Sequence, residues 1–591
     1  MSKYRTHSCG SLNKEHAGSK VKIAGWVRRR RDHGGLIFIE LADYSGSCQA
    51  VFKPENKNSF PIGESFRSEY VVMLTGNLSL RPEGTINPEM ETGEVELDVI
   101  DAVILSKSET PPFLIQDNTD AKEELRLKYR YLDLRRPEMQ EKLRLRHRIY
   151  RATRFFLDSE GFCEVETPVL TKPTPEGARD FLVPSRVSQG EFYALPQSPQ
   201  LFKQVLMCSC LDRYFQIEKC FRDEDLRANR QPEFTQIDLE MSFIDESDIQ
   251  SLTERLVARI WEEAAGSKIQ LPLLRISYDE AMSRFGVDAP DMRFGLELKE
   301  LNSVFEKTEF QVFRDTLSSN GIIKGFNAKG AARYSRKELD LLSEQAVRLG
   351  AKGLVWIKVE EGVLKSPISK FITPDIEKKL IQSLSLETGD LALIVADQKS
   401  KCNSVLGALR IQLAKQLDLI DPRKLSFLWV EKFPLFEHSP ELGRYLSVHH
   451  PFTSPILENL DNPVELEGDL SELKARAYDI VLNGQEIGGG SIRIHRSDVQ
   501  SRVFKLLGIS EQEAKEKFGF LLEALSFGAP PHGGIALGLD RIAMIISGSE
   551  SIRDVIAFPK TQRGQDLMVS APSVASVEQL MELGIRLAVK H

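Results

Sequence analysis

The sequence predicts a multidomain α+β protein, in which a small N-terminal β-barrel precedes an antiparallel-sheet domain that carries an α+β insertion. Short strand-like runs separated by Gly, Pro and Asn turns fill residues 20–105. Between residues 214 and 242, two runs of alternating apolar and polar residues flank a long charged segment, as two antiparallel strands would. Residues 284–425 mix helical and strand patterns, after which strand patterns return. A chain of 591 residues exceeds one hydrophobic core, so several domains are expected.

Composition and charge narrow the class of protein. With 41% hydrophobic and 28% charged residues, the chain has the make-up of an ordinary soluble globular protein. Its formal charge of −8 argues against a protein that coats nucleic acid indiscriminately, although a local basic site is compatible with that total. The seven cysteines include no CxxC pair and no His/Cys cluster at zinc spacing, which predicts a reducing, cytoplasmic location. No signal peptide pattern and no long apolar run occur, so neither secretion nor a membrane span is expected.

Residues 1–110 are expected to form a barrel of the OB type, because several short strands over this length suit a small Greek-key barrel. A run of four arginines that includes Arg30 lies between the first two strand patterns, and Phe38 and Gln49 lie just beyond it. Such a charge run is by itself more often a solvated surface. Basic loops beside aromatic strand residues also bind unstacked bases, which makes this face a candidate for single-stranded nucleic acid.

Residues 111–140 are interpreted as a hinge that ends in a basic helical segment, placed to touch an RNA backbone. From residue 141 onward, apolar residues recur near a 3.6-residue period and predict a helix that Gly161 ends. A strand pattern over 162–168 follows and stops at Pro168, since proline cannot sit inside a sheet ladder.

The charged segment between the two central strand patterns carries the clearest chemistry. Arg222 and Glu224 lie two residues apart, so in extended chain both side chains leave the same face. An arginine fork matches phosphate oxygens, and a nearby carboxylate accepts from an adenine or amino group. In isolation, such a pair is usually a surface ion pair. The wording FRDE followed by RQPEFTQ, however, resembles motif 2 of the class II aminoacyl-tRNA synthetases, in their aspartyl and asparaginyl branch.

This resemblance assigns roles along residues 141–283, the first part of a catalytic domain. The helix and strand that end at Pro168 resemble motif 1, which implies a homodimer. The stretches TPEGARD and QSPQLFK resemble the flipping loop and the aspartate pocket of the family. Contacts with L-aspartate are thereby implied for Glu176, Gln200, Lys203 and Arg222. Contacts with ATP are implied for Arg222, Asp223, Glu224 and Gln231, of which Arg222 and Glu224 are expected to be catalytic.

Residues 284–425 interrupt this domain. Helical patterns over 337–349 and 403–419 and strand patterns over 353–359 and 391–396 indicate an α+β insertion. The insertion matches in place and size the extra domain of bacterial-type aspartyl enzymes. It shows no catalytic constellation, and its function cannot be inferred from the sequence.

The second part of the catalytic domain, residues 426–560, carries two carboxylates and an arginine. Asp479 and Glu486 lie on strand patterns joined by a tight Asn-Gly turn, which would bring the carboxylates together. Mg²⁺ would remove their repulsion, since it prefers such oxygen ligands together with triphosphate. Arg493 is the candidate for a fork-to-fork pair with the substrate's side-chain carboxylate, and the alternative is a sheet-edge ion pair. The resemblance adds Glu486 to the ATP contacts.

Two neighbouring histidines, His449 and His450, are candidates for an aspartate contact that the family places here. Adjacent side chains in an extended segment point opposite ways, so no more than one of the two is expected to reach a ligand. The sequence does not choose between them.

The spelling GLDR near the C-terminus resembles motif 3. A GxGxxG loop requires a short turn after the first strand of a βαβ unit, whereas these glycines lie inside a strand pattern. The resemblance implies that the terminal arginine contacts the ATP γ-phosphate and is catalytic. The implied ATP contacts are Gly538, Leu539, Asp540 and Arg541. Residues 561–591 form a C-terminal extension.

Three motifs in order make the chain most similar to bacterial-type aspartyl-tRNA synthetases. That similarity implies two-step, ATP-dependent attachment of L-aspartate to the terminal ribose of tRNA, with Arg30, Phe38 and Gln49 at the anticodon. His33 and Gly84 match enzymes that accept both tRNA-Asp and tRNA-Asn, and a tRNA-dependent amidotransferase is then a possible partner. The alternatives are a strictly tRNA-Asp-specific enzyme, an asparaginyl or lysyl enzyme, and a non-catalytic RNA-binding paralogue.

Overall fold

The computed structural model of the chain describes residues 2–173, 177–226, 229–457 and 470–588. These residues fall into two compact units. The first unit comprises residues 1–147, 226–231 and 547–574, and the second comprises residues 148–225, 232–546 and 575–591. In the described part of the chain, no helix is long and apolar enough to cross a membrane.

The first unit contains a closed β-barrel. Its elements are β1 (Lys20–His33), β2 (Leu36–Asp43), β3 (Gly46–Phe52), α1 (Phe60–Ser65), β4 (Val71–Leu80) and β5 (Val95–Ser106). The strand order around the barrel is β1-β2-β3-β5-β4. Alternate side chains of all five strands point inward and form one apolar core, because strand side chains alternate between faces. The predicted five-stranded barrel is confirmed.

The hinge segment is helical and partly buried. It contains α2 (Glu123–Lys128) and α3 (Arg130–Asp133), and α4 (Pro137–Ser159) follows. Arg130 and Arg136 are buried and donate to the Asp133 carboxylate at 2.5 and 2.8 Å. These two arginines of the predicted RNA-touching segment therefore stabilise the fold instead. The predicted long helix begins at Pro137, a favoured first position, and ends before Gly161, whose φ is +79°.

The first strands and helices of the second unit lie before and after the charged segment that contains Arg222. The strands are β6 (Cys163–Glu164), β7 (Leu182–Pro184), β8 (Phe192–Ala194), β9 (Arg213–Phe221), β10 (Glu233–Ser242) and β11 (Leu274–Ser277). The helices are α5 (Gln200–Cys208), α6 (Glu246–Ala265) and α7 (Tyr278–Phe285). Strands β9 and β10 pair antiparallel, with Phe221 opposite Glu233, which confirms the predicted strand pair.

The insertion forms a sheet of its own. Its strands are β12 (Lys299–Glu300), β13 (Ile322–Ala328), β14 (Val355–Glu360), β15 (Val363–Lys365) and β16 (Leu391–Asp397), in the order β12-β13-β16-β14-β15. Its helices are α8 (Gln311–Ser318), α9 (Arg336–Arg348), α10 (Pro374–Leu384) and α11 (Lys399–Gln416). Apolar clusters cover both faces of this sheet. The predicted helices and strands of an α+β insertion are confirmed.

The chain then returns to the first sheet. The strands are β17 (Phe427–Glu431), β18 (Phe436–Ser439), β19 (Arg444–Ser447), β20 (Ala477–Leu482), β21 (Gln485–Ile492) and β22 (His532–Gly538). The helices are α12 (Ser497–Leu506), α13 (Glu511–Ser526), α14 (Leu539–Ile546) and α15 (Val577–Glu582). The resulting eight-stranded sheet has the order β11-β17-β20-β21-β22-β10-β9-β6. It is antiparallel except at its two edges, where β11 pairs parallel with β17 and β6 with β9.

Candidate functional site

One face of the eight-stranded sheet gathers polar side chains around a strip of small residues. The register aligns Gln216, Asp238, Ala536, Gly489 and Asp479 in one row across β9, β10, β22, β21 and β20. Directly opposed residues share a face, and every second residue of each strand joins them. The small residues leave room above the centre of the sheet. The polar face comprises Gln216, Glu218, Gln236, Asp238, Glu240, Asp479, Gly489, Ser491, Gly534 and Ala536.

A β-bulge brings Glu486 onto this face. Asn483 and Gly484 form the turn between β20 and β21 with φ of +52° and +80°, as the Asn-Gly pair predicts. Counted back from Gly489, Glu486 would point to the opposite face of a regular strand. The pairing register shifts by one residue between Ile480 and Val481, which turns Glu486 to the side of Asp479.

The two carboxylates lie close enough to repel each other. A Cβ placed on Gly489 would lie 2.6 Å from Asp479 Oδ1 and 3.4 Å from Glu486 Oε1, so both carboxylates surround that glycine. Repulsion from Asp479, followed by burial, raises the pKa of Glu486. In the part of the chain that the structure describes, no cluster of three or more His, Cys, Asp or Glu could hold a metal ion. A cation held by this pair would need its other ligands from elsewhere.

His449 and His450 contact different parts of the site. His449 Nε2 lies 3.4 Å from Asp479 Oδ1, and His450 Nε2 lies 2.8 Å from Arg493 Nη1. Burial lowers the pKa of His449, but the hydrogen bond and charge of Asp479 outweigh burial, so that its pKa is raised. Burial and the charge of Arg493 hold the pKa of His450 well below its ordinary value. The segment is not a strand, so both rings face polar groups of the site, contrary to the opposite orientations expected of extended chain.

The guanidinium group of Arg493 is already hydrogen-bonded to other side chains of the protein. Its Nε and Nη2 donate to the two carboxylate oxygens of Glu240 at 2.8 and 3.0 Å, and Nη1 donates to Ser491 Oγ at 2.7 Å. Arg493 directly follows β21, an inner strand of the sheet, and its ion pair with Glu240 is buried. Burial alone would raise the pKa of Glu240, but Arg493 and Lys203 lower it. Nε and both N–H groups of Nη1 are thus engaged by Glu240, Ser491 and His450, so among the described contacts one N–H of Nη2 remains for a ligand.

Helix α5 supplies the opposite wall. Lys203 Nζ lies 2.5 Å from Asp238 Oδ1 and 3.3 Å from Glu240 Oε2, and all three side chains are buried. Within the described residues, Asp238 Oδ2, Gln200 Nε2 and both amide atoms of Gln204 are buried without a hydrogen-bond partner. Buried polar groups normally have partners, so these atoms indicate a place for a polar ligand. Glu176, also predicted for this pocket, lies outside the described residues.

The charged segment after β9 places Arg222 at the end of the polar face. Its backbone N–H donates to Pro232 O at 2.9 Å, and its guanidinium lies 5.0 Å from the centre of the Phe234 ring. Asp223 is exposed and its N–H donates to Arg179 O at 3.1 Å, while Glu224 is partly exposed. Arginine stacked on an aromatic ring is held in one plane, which suits phosphate binding.

Gln231 belongs to the first unit, and its side-chain amide is already hydrogen-bonded within that unit. Its amide oxygen accepts from Lys560 N at 2.8 Å, and its amide nitrogen donates to Lys560 O at 3.0 Å. The side chain thus fixes residue 560, and a predicted ATP contact would need the remaining hydrogen-bonding capacity of the same amide.

Strand β22 runs straight into α14 at the predicted motif 3. Gly538 ends the strand, Leu539 is buried, and Asp540 Oδ2 accepts from the backbone N–H of Thr235 at 2.7 Å. The side chains of Leu539 and Asp540 therefore serve the fold, which leaves their backbone for ligand contact. Arg541 donates to Glu486 O and stands beside the two carboxylates.

The predicted nucleic-acid face of the barrel is only partly assembled as expected. Phe38 is opposite Val51 and Gln49 opposite Glu40, so Phe38 and Gln49 share the outer face of β2 and β3. Gln49 Nε2 donates to Glu96 Oε2 at 2.8 Å. Arg30 is opposite Ile39, which places it on the other face, and it pairs with Asp32 at 2.9 Å.

Of the two remaining predicted residues of the barrel, one ends a strand and the other lies on a turn. His33 ends β1 and is exposed, and Gly84 is exposed with a φ of +86°, a conformation that favours glycine. Both positions are open to a partner molecule.

Sequence reasoning missed the buried half of the site. Asp238, Glu240 and Gln204 were not assigned, although two signals point to them. On a central strand, polar and apolar residues alternate over 236–240, and two of the polar residues, Asp238 and Glu240, are acidic. Charged residues are unusual in such a buried strand. Gln204 follows Gln200 by four positions and therefore lies on the same face of α5.

Comparisons with known proteins agree with this geometry. A family model described as tRNA synthetases class II (D, K and N) matches residues 122–562, and one described as an OB-fold nucleic acid binding domain matches residues 21–105. The asparaginyl-tRNA synthetase of Pyrococcus horikoshii, solved with asparaginyl-adenylate, aligns with a TM-score of 0.59 at 20% identity, over 94% of this chain and 98% of that one. At that identity the likeness shows the fold.

Two curated relatives match almost the full length. "Aspartate--tRNA(Asp/Asn) ligase" of Anoxybacillus flavithermus is 53% identical over 585 residues, covering 99% of this chain and 98% of that protein. "Aspartate--tRNA ligase" of Bacillus licheniformis is 53% identical over 589 residues, covering 99% of each. These matches confirm the resemblance carried by motifs 1, 2 and 3 and the predicted fold class: the chain belongs to the class II tRNA synthetases of the D, K and N group.

Proposed function

We propose that this chain activates L-aspartate with ATP and transfers it to the terminal ribose of tRNA. The observation that carries this function is the convergence on one sheet face of a cation-lined amino-acid pocket and a carboxylate pair flanked by arginine. The near-full-length relatives are named for attachment of aspartate to tRNA, which supports the same conclusion.

The amino-acid pocket suits aspartate at both ends. Asp238 Oδ2, which has no hydrogen-bond partner in the described part of the chain, would accept the substrate α-ammonium, with Gln200 and Glu176 as further contacts. Arg493, His450 and Lys203 line the end that would take the side-chain carboxylate. An asparagine amide would turn an N–H toward these donors, and a buried mismatch of that kind discriminates by roughly 10⁴-fold or more. His449 remains a candidate contact through its place beside Asp479.

The ATP side is built from arginines and backbone. Arg222 would bind the α-phosphate, Asp223, Glu224 and Gln231 the adenosine part, and Arg541 the γ-phosphate. The backbone of Gly538, Leu539 and Asp540 would approach the nucleotide where β22 enters α14.

Asp479 and Glu486 fit a Mg²⁺ ion, because their repulsion is relieved by a cation and their oxygens are the ligands it prefers. Bound there, Mg²⁺ would neutralise charge on the triphosphate. The residues of the chain act by position: the aspartate α-carboxylate attacks the α-phosphorus in line, and pyrophosphate leaves. The tRNA ribose hydroxyl then displaces AMP from the adenylate. No side chain is assigned as nucleophile or base.

The barrel would bind the anticodon, with Phe38 stacking on a base and Gln49 in polar contact. His33 at the end of β1 and Gly84 on a turn are exposed, where they would admit either tRNA-Asp or tRNA-Asn. A tRNA-dependent amidotransferase would then process aspartyl-tRNA-Asn. The motif 1 segment leaves Phe155, Val169 and Leu170 exposed at 64%, 49% and 52%, which supports a homodimer contact there. All seven cysteines are free thiols, which supports a cytoplasmic location.

ATP–pyrophosphate exchange with aspartate, asparagine and lysine tests the activity. We expect exchange with aspartate only. Preference for asparagine or lysine would assign another member of the group, and no exchange with any of the three would revive the non-catalytic RNA-binding paralogue.

Charging of purified tRNA-Asp and tRNA-Asn transcripts with aspartate tests the dual specificity. We expect comparable rates, and a tRNA-Lys transcript serves as the negative control. A strong preference for tRNA-Asp would contradict the roles of His33 and Gly84 and leave the strictly specific enzyme.

A further inference from the structure

Glu218 is a buried acid on the polar face that the proposed mechanism does not use. It is 2% exposed on β9, and no lysine or arginine of the described residues lies within 4 Å of its carboxylate. Buried carboxylates are rare without a cation or several donors. Glu218 lies opposite Gln236 and one row away from Asp238, whose Oδ2 faces the proposed ammonium position.

A short hydrogen-bond chain connects Glu218 to its neighbours. Thr167 Oγ1 lies 3.0 Å from Glu218 Oε2 and 2.9 Å from Gln216 Oε1, and Tyr214 OH donates to Gln216 Oε1 at 2.8 Å. The Thr167 hydroxyl has one proton for two acceptors. If Glu218 is ionised, Thr167 donates to it; if Glu218 is protonated, it donates to Thr167, which donates to Gln216. Both proton states satisfy the chain.

The charges around Glu218 keep these two states close in energy. Asp238 faces it from β10, Glu166 from the segment after β6, and Tyr214 from its own strand. Lys203 of α5 is engaged with Asp238 and Glu240. Burial, and then the charges of Asp238 and Glu166, raise the pKa of Glu218 to about 7 against the hydrogen bonds from Thr167 and Gln216. A cation placed at Asp238 would favour the ionised state.

We propose that Glu218 is a positioning residue whose ionised carboxylate strengthens binding of the substrate α-ammonium, so that aspartate binding releases a proton from Glu218. The proposal rests on the proposed aspartate pocket and deepens it. The step is balanced: the neutral carboxylic acid loses one proton to buffer, and the resulting carboxylate faces one added ammonium charge through Asp238. Thr167 turns its hydroxyl from Gln216 to Glu218 as this happens.

The pH dependence of the KM for aspartate tests the proposal, measured by ATP–pyrophosphate exchange between pH 6 and 8. For the unaltered protein, we expect this KM to rise about five- to tenfold on going from pH 8 to 6, since one proton changes affinity by at most tenfold per pH unit. Glu218→Gln copies the protonated state, so its KM for aspartate should stay high and flat. The KM for ATP should depend on pH in the same way in both proteins.

A control variant and a second measurement separate the possible failures. Glu166→Gln removes a neighbouring charge outside the site and should retain a pH-dependent KM, shifted slightly toward lower pH because the charge of Glu166 helps to raise the pKa of Glu218. Calorimetry of aspartate binding at pH 7 in phosphate and in Tris should show about half a proton more released by the unaltered protein than by Glu218→Gln. Equal pH slopes in the two proteins, or equal proton release, would overturn the role of Glu218. Absence of aspartate-dependent exchange at every pH would instead overturn the proposed function.

Discussion

Among the described residues of the second unit, four basic side chains are buried, two beside the polar face and two in the insertion, and they differ in their partners. Lys203, Arg493, Lys324 and Arg410 are 1%, 2%, 3% and 0% exposed. Lys203 and Arg493 share the carboxylate of Glu240. In the insertion, Arg410 Nη2 donates to three backbone carbonyls, and Lys324 Nζ donates to Asn403 Oδ1 at 2.6 Å.

Equally buried basic side chains therefore have pKa values shifted in opposite directions. Burial lowers the pKa of Arg493, but Glu240 outweighs it and the pKa is raised. Burial lowers the pKa of Arg410 to about 10 and that of Lys324 to about 8, and no carboxylate of the described residues contacts either. A buried cation with a carboxylate keeps its charge and holds donors ready for a ligand, whereas a buried cation with neutral partners only joins backbone segments. Substitutions at the two places should separate activity from stability.

The largest effect is expected for Arg493→Lys. A lysine keeps the charge but cannot reproduce the planar two-point geometry with which Arg493 holds Glu240 and would receive the substrate carboxylate, so the kcat/KM for aspartate activation should fall about a thousandfold or more. Exchange kinetics measure the loss, and the unfolding midpoint should change little, because Lys203 remains beside Glu240.

The matched control is Arg410→Lys, the same exchange at an equally buried position in the insertion. It should leave aspartate activation within about twofold, since additivity holds between distant sites. Near-normal activation by Arg493→Lys, or an equal loss in both variants, would remove Arg493 from the pocket.

The next effect is expected for Arg410→Met and concerns stability. Arg410 lies between the rings of Phe285 and Phe294, at 5.0 and 4.2 Å, and joins α11 to the carbonyls of residues 291–295. Methionine fills the space but leaves those carbonyls without their donor, a loss of about 2–4 kcal/mol. Urea unfolding should show the loss while aspartate activation is retained. An unchanged unfolding midpoint would contradict this account.

The same comparison shows what the sequence could predict. The alternating strand patterns, the three motifs and the Asn-Gly turn together predicted the barrel, the strand pair at Arg222 and the neighbourhood of Asp479. These features could be predicted because they depend on local spacing. The Asn-Gly turn correctly predicted that Glu486 lies near Asp479. The bulge that places both side chains on one face depends on how two strands pair, which the sequence does not reveal.

The pairing of Arg493 depends on contacts between segments far apart in the chain, which local patterns do not contain. Glu240 precedes Arg493 by 253 residues, so spacing could not identify it as the partner. The arginine was therefore expected to have an open fork. For the same reason, the buried Arg410 and Lys324 gave no local signal, since a basic residue in a helix or strand is usually exposed.

The smallest effect, and the one that depends on pH, is expected for Lys324→Met. The folded pKa of Lys324, about 8, lies below its ordinary value of 10.5, so between these values the unfolded chain binds more protons and the stability of the unaltered protein rises with pH. Below pH 8 the cost of burying the ammonium is fully present. Lys324→Met should therefore be more stable than the unaltered protein by about 1–3 kcal/mol at pH 7, reduced by the lost bond to Asn403.

That advantage should shrink when unfolding is measured at pH 10, where the folded state holds Lys324 mostly neutral. Lys352→Met alters an exposed lysine of the same insertion and should show no pH-dependent difference. An advantage that is equal at pH 7 and pH 10 would mean that methionine packing, rather than removal of a buried charge, accounts for it. In that case, the contrast between carboxylate-paired and neutral-paired cations would rest on Arg410 alone.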